Sequence, residues 1–113
     1  VRADREMLRQ ALFNLLQNTV QFSPPGASIE LRARRRRDGL LRIELCDRGA
    51  GVPETHRASL FTPYFTTRPG GTGLGLAMVR RIALAHGWQC GYEPRAGGGS
   101  VFFLDAVASE DRA

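Results

Sequence analysis

The chain has no lysine at all: its sixteen basic residues are all arginine. That excludes the phosphate sites that set a lysine ammonium on a nucleotide, the P-loop and the protein-kinase fold among them. Phosphate chemistry here has to use backbone N–H groups, carboxamides, arginine and metal. Cysteine is scarce. Cys46 and Cys90 are far apart with no second thiol near either, so neither a redox pair nor a zinc knuckle can form, and both are expected as buried free thiols of a reducing cytoplasm. No apolar run approaches the roughly 20 residues of a membrane span. The opening Val1-Arg2-Ala3-Asp4 lacks the layout of a signal peptide, which leads us to expect a soluble domain. At 113 residues, 42% of them hydrophobic, the chain can build one core and not two.

Periodicity then divides the chain. Asp4 is a candidate N-cap, and apolar residues recur at Met7, Leu8, Ala11, Leu12, Leu15, Leu16, Thr19 and Val20, which predicts an amphipathic helix of about four turns. Ser23-Pro24-Pro25-Gly26 stops it. Ile29, Leu31 and Ala33 alternate with Glu30, Arg32 and Arg34, Asp38-Gly39 marks a two-residue hairpin, and Leu41, Ile43 and Leu45 form the returning strand. The Gly- and Pro-rich stretch from Arg48 to Gly71 reads as a mobile loop with at most a short helix near Glu54 to Leu60. A second long helix starts within Gly71-Thr72-Gly73-Leu74-Gly75-Leu76 and runs to His86, with Gly87 as its stop. Strands Trp88 to Tyr92 and Ser100 to Val107 flank the turn Ala96-Gly97-Gly98-Gly99, and Ser109 to Ala113 form a frayed tail. The order predicts an α+β fold, a two-layer α/β sandwich whose mixed sheet is covered by helices on one face.

Three stretches carry chemistry. Gln10, Asn14, Asn18 and Gln21 fall on one stripe of the first helix, where a solvated face would ordinarily use charged residues. A neutral carbonyl oxygen is a good hard ligand for Mg²⁺. Asp47-Arg48-Gly49-Ala50-Gly51 follows a strand directly, so a carboxylate sits at a strand end beside glycines that allow close approach. Such a carboxylate can accept from the exocyclic amine of adenine. Gly71 to Leu76 opens a helix, whose free N–H groups and dipole favour phosphate. By itself that last signal is weak, since no strand immediately precedes it and no βαβ unit surrounds it.

Taken in order, Asn14-Leu15-Leu16-Gln17-Asn18, Asp47-Arg48-Gly49-Ala50-Gly51, Phe61-Thr62-Pro63-Tyr64-Phe65-Thr66-Thr67-Arg68 and Gly71-Thr72-Gly73-Leu74-Gly75-Leu76 resemble the asparagine, first glycine, phenylalanine and second glycine boxes of sensor histidine kinases. The resemblance covers residues 1–108 and implies the Bergerat-type ATP-binding domain of such a kinase, with ATP and Mg²⁺ as cofactors. By matching position, Asn18 would hold Mg²⁺ and Asn14 would assist at the phosphates, the two together forming the catalytic pair. Asp47 would bind the adenine amine with Gly49 and Gly51 lining the base, and Phe22 would stand beside the adenine. The second glycine box, Gly71, Thr72, Gly73, Leu74, Gly75 and Leu76, would meet the phosphates, and Ser100 matches a hydroxyl of a third, weaker glycine box. The resemblance also implies a lid that closes over the nucleotide, which Phe61 and Phe65 would anchor.

The chain departs from the family pattern at Gln21, where many relatives carry a basic residue; Arg68 is the candidate to supply charge instead. Related ATPases resembling gyrase and the heat-shock chaperone place a glutamate, as general base, where this chain has Asn14. An amide cannot take a proton from water, so transfer to a ready nucleophile is favoured over hydrolysis, and neutral histidine is such a nucleophile. Neither His56 nor His86 has acceptor-like surroundings. The resemblance therefore implies separate partners: histidine-bearing dimerisation helices and a response regulator receiver domain, in a cytoplasmic location, with membrane anchoring of the parent left open.

Other readings weighed are nucleic-acid binding by Arg32 and Arg34 to Arg37, with the net charge of +5, a serine kinase of the anti-sigma type, and a degenerate domain that holds ATP without transferring it. Against the first, a solvated strand edge explains the arginines without aromatic interleaving, and no nucleic-acid partner is expected.

Overall fold

The computed structural model describes residues 2–24, 26–49, 51–63 and 74–107. Its elements are α1 (Arg2–Phe22), β1 (Glu30–Arg35), β2 (Leu41–Asp47), α2 (Glu54–Arg57), α3 (Gly75–His86), β3 (Gln89–Pro94) and β4 (Ser100–Val107). The strands form one sheet in the order β1-β2-β4-β3. The two long helices pack on each other and cover one face of it, α1 against β2 and α3 against β3. This is the expected α+β two-layer arrangement.

Two expectations need correction. Every pairing among the described strands is antiparallel, so the sheet is not mixed. β2 and β3 do run the same way, but β4 returns between them and they never pair. The first helix is also longer than expected, 21 residues or about six turns. Arg2, Ala3 and Asp4 are already helical, so Asp4 lies within the helix and not at its cap position.

The core lies between the helices and the sheet. Ala11, Leu15 and Thr19 of α1, Leu76, Val79, Ile82 and Ala83 of α3, and Leu45, Phe102, Leu104 and Val107 of the sheet are all buried. Fully burying each large apolar side chain contributes roughly 1.5 to 3 kcal/mol. Thr19 avoids an unpaired hydroxyl by donating to Leu15 O at 2.8 Å. α3 ends where Gly87 takes a left-handed conformation at φ 73°, and Trp88 N–H donates to Ala83 O at 2.9 Å. His86 is held at that end by an Nδ1 contact to Ile82 O at 2.8 Å and by stacking on Trp88 at 4.6 Å.

The first hairpin differs in detail from the sequence reading. Arg36 N–H donates to Leu40 O across three loop residues, with Gly39 at φ 86°. A three-residue loop closed by a left-handed glycine replaces the two-residue turn. β1 is an edge strand and exposed throughout, including Leu31 at 66%. Leu31 borders an open apolar groove of about 550 Å³ against Leu8, Leu12, Leu16 and Ile29, so the expected inward face of β1 is only partly covered.

The other face of the sheet is paved by ion pairs. Arg42 bonds Glu44 at 2.7 Å, Asp105 at 3.2 Å and Glu93 at 3.2 Å, and lies 4.1 Å above the Phe103 ring. Arg34 reaches Glu44, Arg36 reaches Asp38 and Asp105, and hydrogen bonds from Arg32 and then Arg95 hold the Glu30 carboxyl below its ordinary value. Much of the arginine run is therefore spent on carboxylates of the same sheet. Cys46 is buried and Cys90 half-buried, and desolvation pushes both thiols up, away from the reactive thiolate. Among the described residues no helix is long and apolar enough to cross a membrane.

Candidate functional site

Alternation along the strands decides where the polar residues fall. Ile43 and Leu45 face the helices, so Asp47, two residues on, faces the same way at the last position of β2. Register then sets Asp47 opposite Ser100 of β4, and Ser100 opposite Pro94 of β3. One row inward, Leu45, Phe102 and Tyr92 lie side by side. The site is thus one end of the sheet, on its helix-facing side. Asp47 and Ser100 are both 0% exposed there.

A buried carboxylate is costly unless its lone pairs are used. Asp47 Oδ1 accepts the Gly49 N–H at 2.7 Å, which turns the chain sharply after the strand. Asp47 Oδ2 is buried and has no hydrogen-bond partner. On α1 the Asn18 side chain is half-buried, and its Nδ2 is likewise buried and unpartnered. Buried polar atoms are nearly always hydrogen-bonded, so an exception calls for a physical reason, such as a water, an ion or a ligand taken up there. Here one is an anionic acceptor on the sheet and one an amide on the helix that packs against that sheet.

The remaining sequence-predicted residues sort as follows. Asn14 is half-buried one turn before Asn18 and accepts from Gln10 Nε2 at 3.4 Å, while Gln21 is exposed. Gly49 and Gly51 lie on the turn after Asp47, Gly51 at φ 80° with Gly99 O and Tyr92 Oη beside it. Leu74 precedes α3 and is exposed, Gly75 opens α3 with free space around it, and the Leu76 side chain goes into the core, leaving its backbone as what it can offer a ligand. Phe65, Arg68, Gly71, Thr72 and Gly73 lie outside the described residues, as does the Phe22 side chain. The second part of the expected lid, residues 64–70, therefore lies outside them too. Phe61 packs on the core, half-buried.

Sequence reasoning missed the residues that hold Asp47 and its turn in place. Gly99, at φ 114°, is pressed so close that a Cβ on it would stand 2.0 Å from Asp47 O. Arg95 Nη1 donates to Asp47 O at 3.3 Å, and its other nitrogen bonds Glu30. Tyr92 and Arg57 bind the main chain of Val52. The run Gly97-Gly98-Gly99 was a visible signal of close approach; Tyr92 carried none beyond its place in the alternation.

Residues 3–108 match the family described as histidine kinase-, DNA gyrase B-, and HSP90-like ATPase. Over 116 aligned residues the chain is 40% identical to the C4-dicarboxylate transport sensor protein DctS of Rhodobacter capsulatus, covering 100% of this chain and 18% of that protein. It thus corresponds to a minor part of that relative's length. The nucleotide-free catalytic domain of histidine kinase ThkA has a TM-score of 0.83 at 30% identity, over 97% of this chain and 72% of that one. Full-length ShkA in complex with AMPPNP gives 0.79 at 33% identity, over 91% of this chain and 22% of that one.

Proposed function

The chain belongs to the histidine kinase-, DNA gyrase B-, and HSP90-like ATPases, and we propose that it is the Mg-ATP-binding domain of a sensor histidine kinase, passing the γ-phosphoryl group to a histidine on separate dimerisation helices. The observation that carries this reading is the buried, unpartnered Asp47 Oδ2 at the end of β2. It is a fixed acceptor, ready for a donor such as the adenine amine, and its neighbours Gly49 and Gly51 would line the base. ShkA, which resembles this chain, is described with the ATP analogue AMPPNP.

The donor set fits Mg²⁺. Magnesium keeps most of its shell as water and phosphate oxygen and takes one or two hard oxygens from protein. Among the described residues no group of three or more His, Cys, Asp or Glu could cage an ion, whereas Asn18 of α1 carries a carboxamide, whose oxygen is the kind of neutral hard ligand such an ion takes. Asn18 is the residue that would hold the ion, which when bound neutralises charge on the transferring phosphoryl group. Asn18 and Asn14 orient the phosphates from α1, and the first turn of α3 offers backbone N–H groups. Gly71, Thr72 and Gly73 would extend that cradle, and Arg68 would add positive charge.

Asn14 sets the reaction type. A carboxamide cannot act as a base toward water, so the domain holds ATP without a hydrolytic partner and works by positioning. The attacking imidazole needs no base, since its neutral nitrogen has a free lone pair. His86 is occupied at the end of α3, with Ile82 O and Trp88. The acceptor is thus proposed to come from another domain, and a response regulator would then receive the phosphoryl group. Calorimetric titration of the chain and of Asn18→Ala with ATP, with and without Mg²⁺, tests the site. The variant should lose most of the Mg²⁺-dependent gain in affinity and keep the metal-free part; equal Mg-ATP affinity for both proteins would refute the metal assignment.

A further inference from the structure

Tyr92 stands on β3 in the row next to Asp47 and Ser100, with its ring edge-on to Phe102 at 5.2 Å. Its hydroxyl accepts the Val52 N–H at 3.0 Å and the Ser100 hydroxyl at 3.4 Å. The carbonyl of the same Val52 accepts from Arg57 Nε at 3.1 Å, and the Arg57 guanidinium lies 5.4 Å from the centre of the Tyr92 ring. Both main-chain polar groups of one buried residue are thus bound by two side chains that lie within cation–π reach of each other. Gly51 rests on the same hydroxyl: a Cβ there would stand 3.4 Å from it.

Packing alone does not call for this oxygen, because phenylalanine would fill the same space beside Phe102. The oxygen matters to the turn. After Asp47 the chain is tied at its near end by Gly49 N–H to Asp47 Oδ1, and at its far end by Val52 N–H to Tyr92 Oη. The first bond is made by the residue proposed to read the base, and the second comes from a strand forty residues away in sequence. Without the second bond the chain at Gly51 and Val52 would lose its tie to the sheet, and Gly51 would no longer be held beside the proposed position of the base.

We propose that Tyr92 is a positioning residue for nucleotide binding, its hydroxyl fixing the turn from Gly49 to Val52 against the adenine, with Arg57 holding the opposite side of Val52. This rests on the adenine-nucleotide reading above. Tyr92→Phe removes the hydroxyl and keeps the ring, whereas Tyr92→Leu removes both. Three readouts are compared in the whole chain: ADP affinity by calorimetry, exchange of the Val52 amide proton, and thermal stability. The Trp88 amide, bonded to Ala83 O at 2.9 Å, serves as the internal reference for exchange.

The expected result is that Tyr92→Phe stays folded, exchanges Val52 faster relative to Trp88, and binds ADP roughly two- to tenfold more weakly, the worth of one neutral hydrogen bond. Tyr92→Leu should weaken ADP no less and also lower the unfolding temperature further. If the parent binds ADP and Tyr92→Phe binds it equally well, or if Val52 exchange is unchanged, the role assigned to Tyr92 is overturned while the nucleotide reading stands. A parent that binds no ADP overturns the nucleotide reading itself and this role with it.

Discussion

Replacing Asp47 by asparagine keeps the shape of the side chain and exchanges one oxygen for an NH₂ group. In one orientation the remaining oxygen still accepts Gly49 N–H, at 2.7 Å in the parent, and the new NH₂ takes the place of the unpartnered Oδ2. In the proposed complex it then faces the adenine amine, donor against donor. In the other orientation it faces the Gly49 N–H with the same conflict. Either way a hydrogen bond to a charged acceptor is lost, about 1.5 to 3 kcal/mol, or roughly 10- to 150-fold in ATP affinity. The free protein should not suffer equally, because a buried carboxylate oxygen without a partner is itself a cost that the neutral amide reduces. Urea unfolding of Asp47→Asn should therefore show a smaller loss in stability than the loss in ATP affinity. Guanine presents a carbonyl oxygen where adenine presents its amine. The same substitution should accordingly narrow the preference for ATP over GTP. Calorimetry of both proteins with both nucleotides decides the matter. Equal ATP affinity in parent and variant, or a parent that binds GTP as well as ATP, would refute the role given to Asp47.

The close approach of Gly99 to Asp47 O predicts that Gly99→Ala costs more than about 2 kcal/mol in urea unfolding, since the added Cβ would stand at 2.0 Å from that oxygen. Gly26 has a similarly positive φ of 80° but nothing within 4 Å, so Gly26→Ala should cost only about 1 kcal/mol from backbone strain. Equal losses at the two positions would show that the contact with Asp47 O contributes nothing.

Local signals in the sequence located what local physics controls. Gly87 marks the end of α3 because a left-handed residue is needed there, and Ser100 to Val107 alternates as a strand and is one. The start of α1 was not legible, because Arg2 and Ala3 are good helix formers and Asp4 suits a first turn as well as a cap. Nor was the order of strands: β1 and β2 both alternate, and only long-range pairing puts β4 beside β2 and leaves Leu31 on an open edge. The candidate site divides the same way. Asp47 and Asn18 were legible as residue types in motifs; that Asp47 Oδ2 and Asn18 Nδ2 would be buried without a partner was not. Tyr92, Arg57 and Arg95 were not, since each acts on backbone that register and folding bring to it from elsewhere in the chain.

The account turns most directly on where the γ-phosphoryl group goes. The chain is incubated with Mg²⁺ and γ-labelled ATP, alone and with the histidine-bearing helical domain proposed as its acceptor. The account predicts no label on His56 or His86, slow release of phosphate in the absence of the helical domain, and label only on that domain, lost in acid and kept in alkali as a phosphoramidate is. Acid-stable label on the chain itself, or rapid phosphate release with no acceptor present, would contradict it.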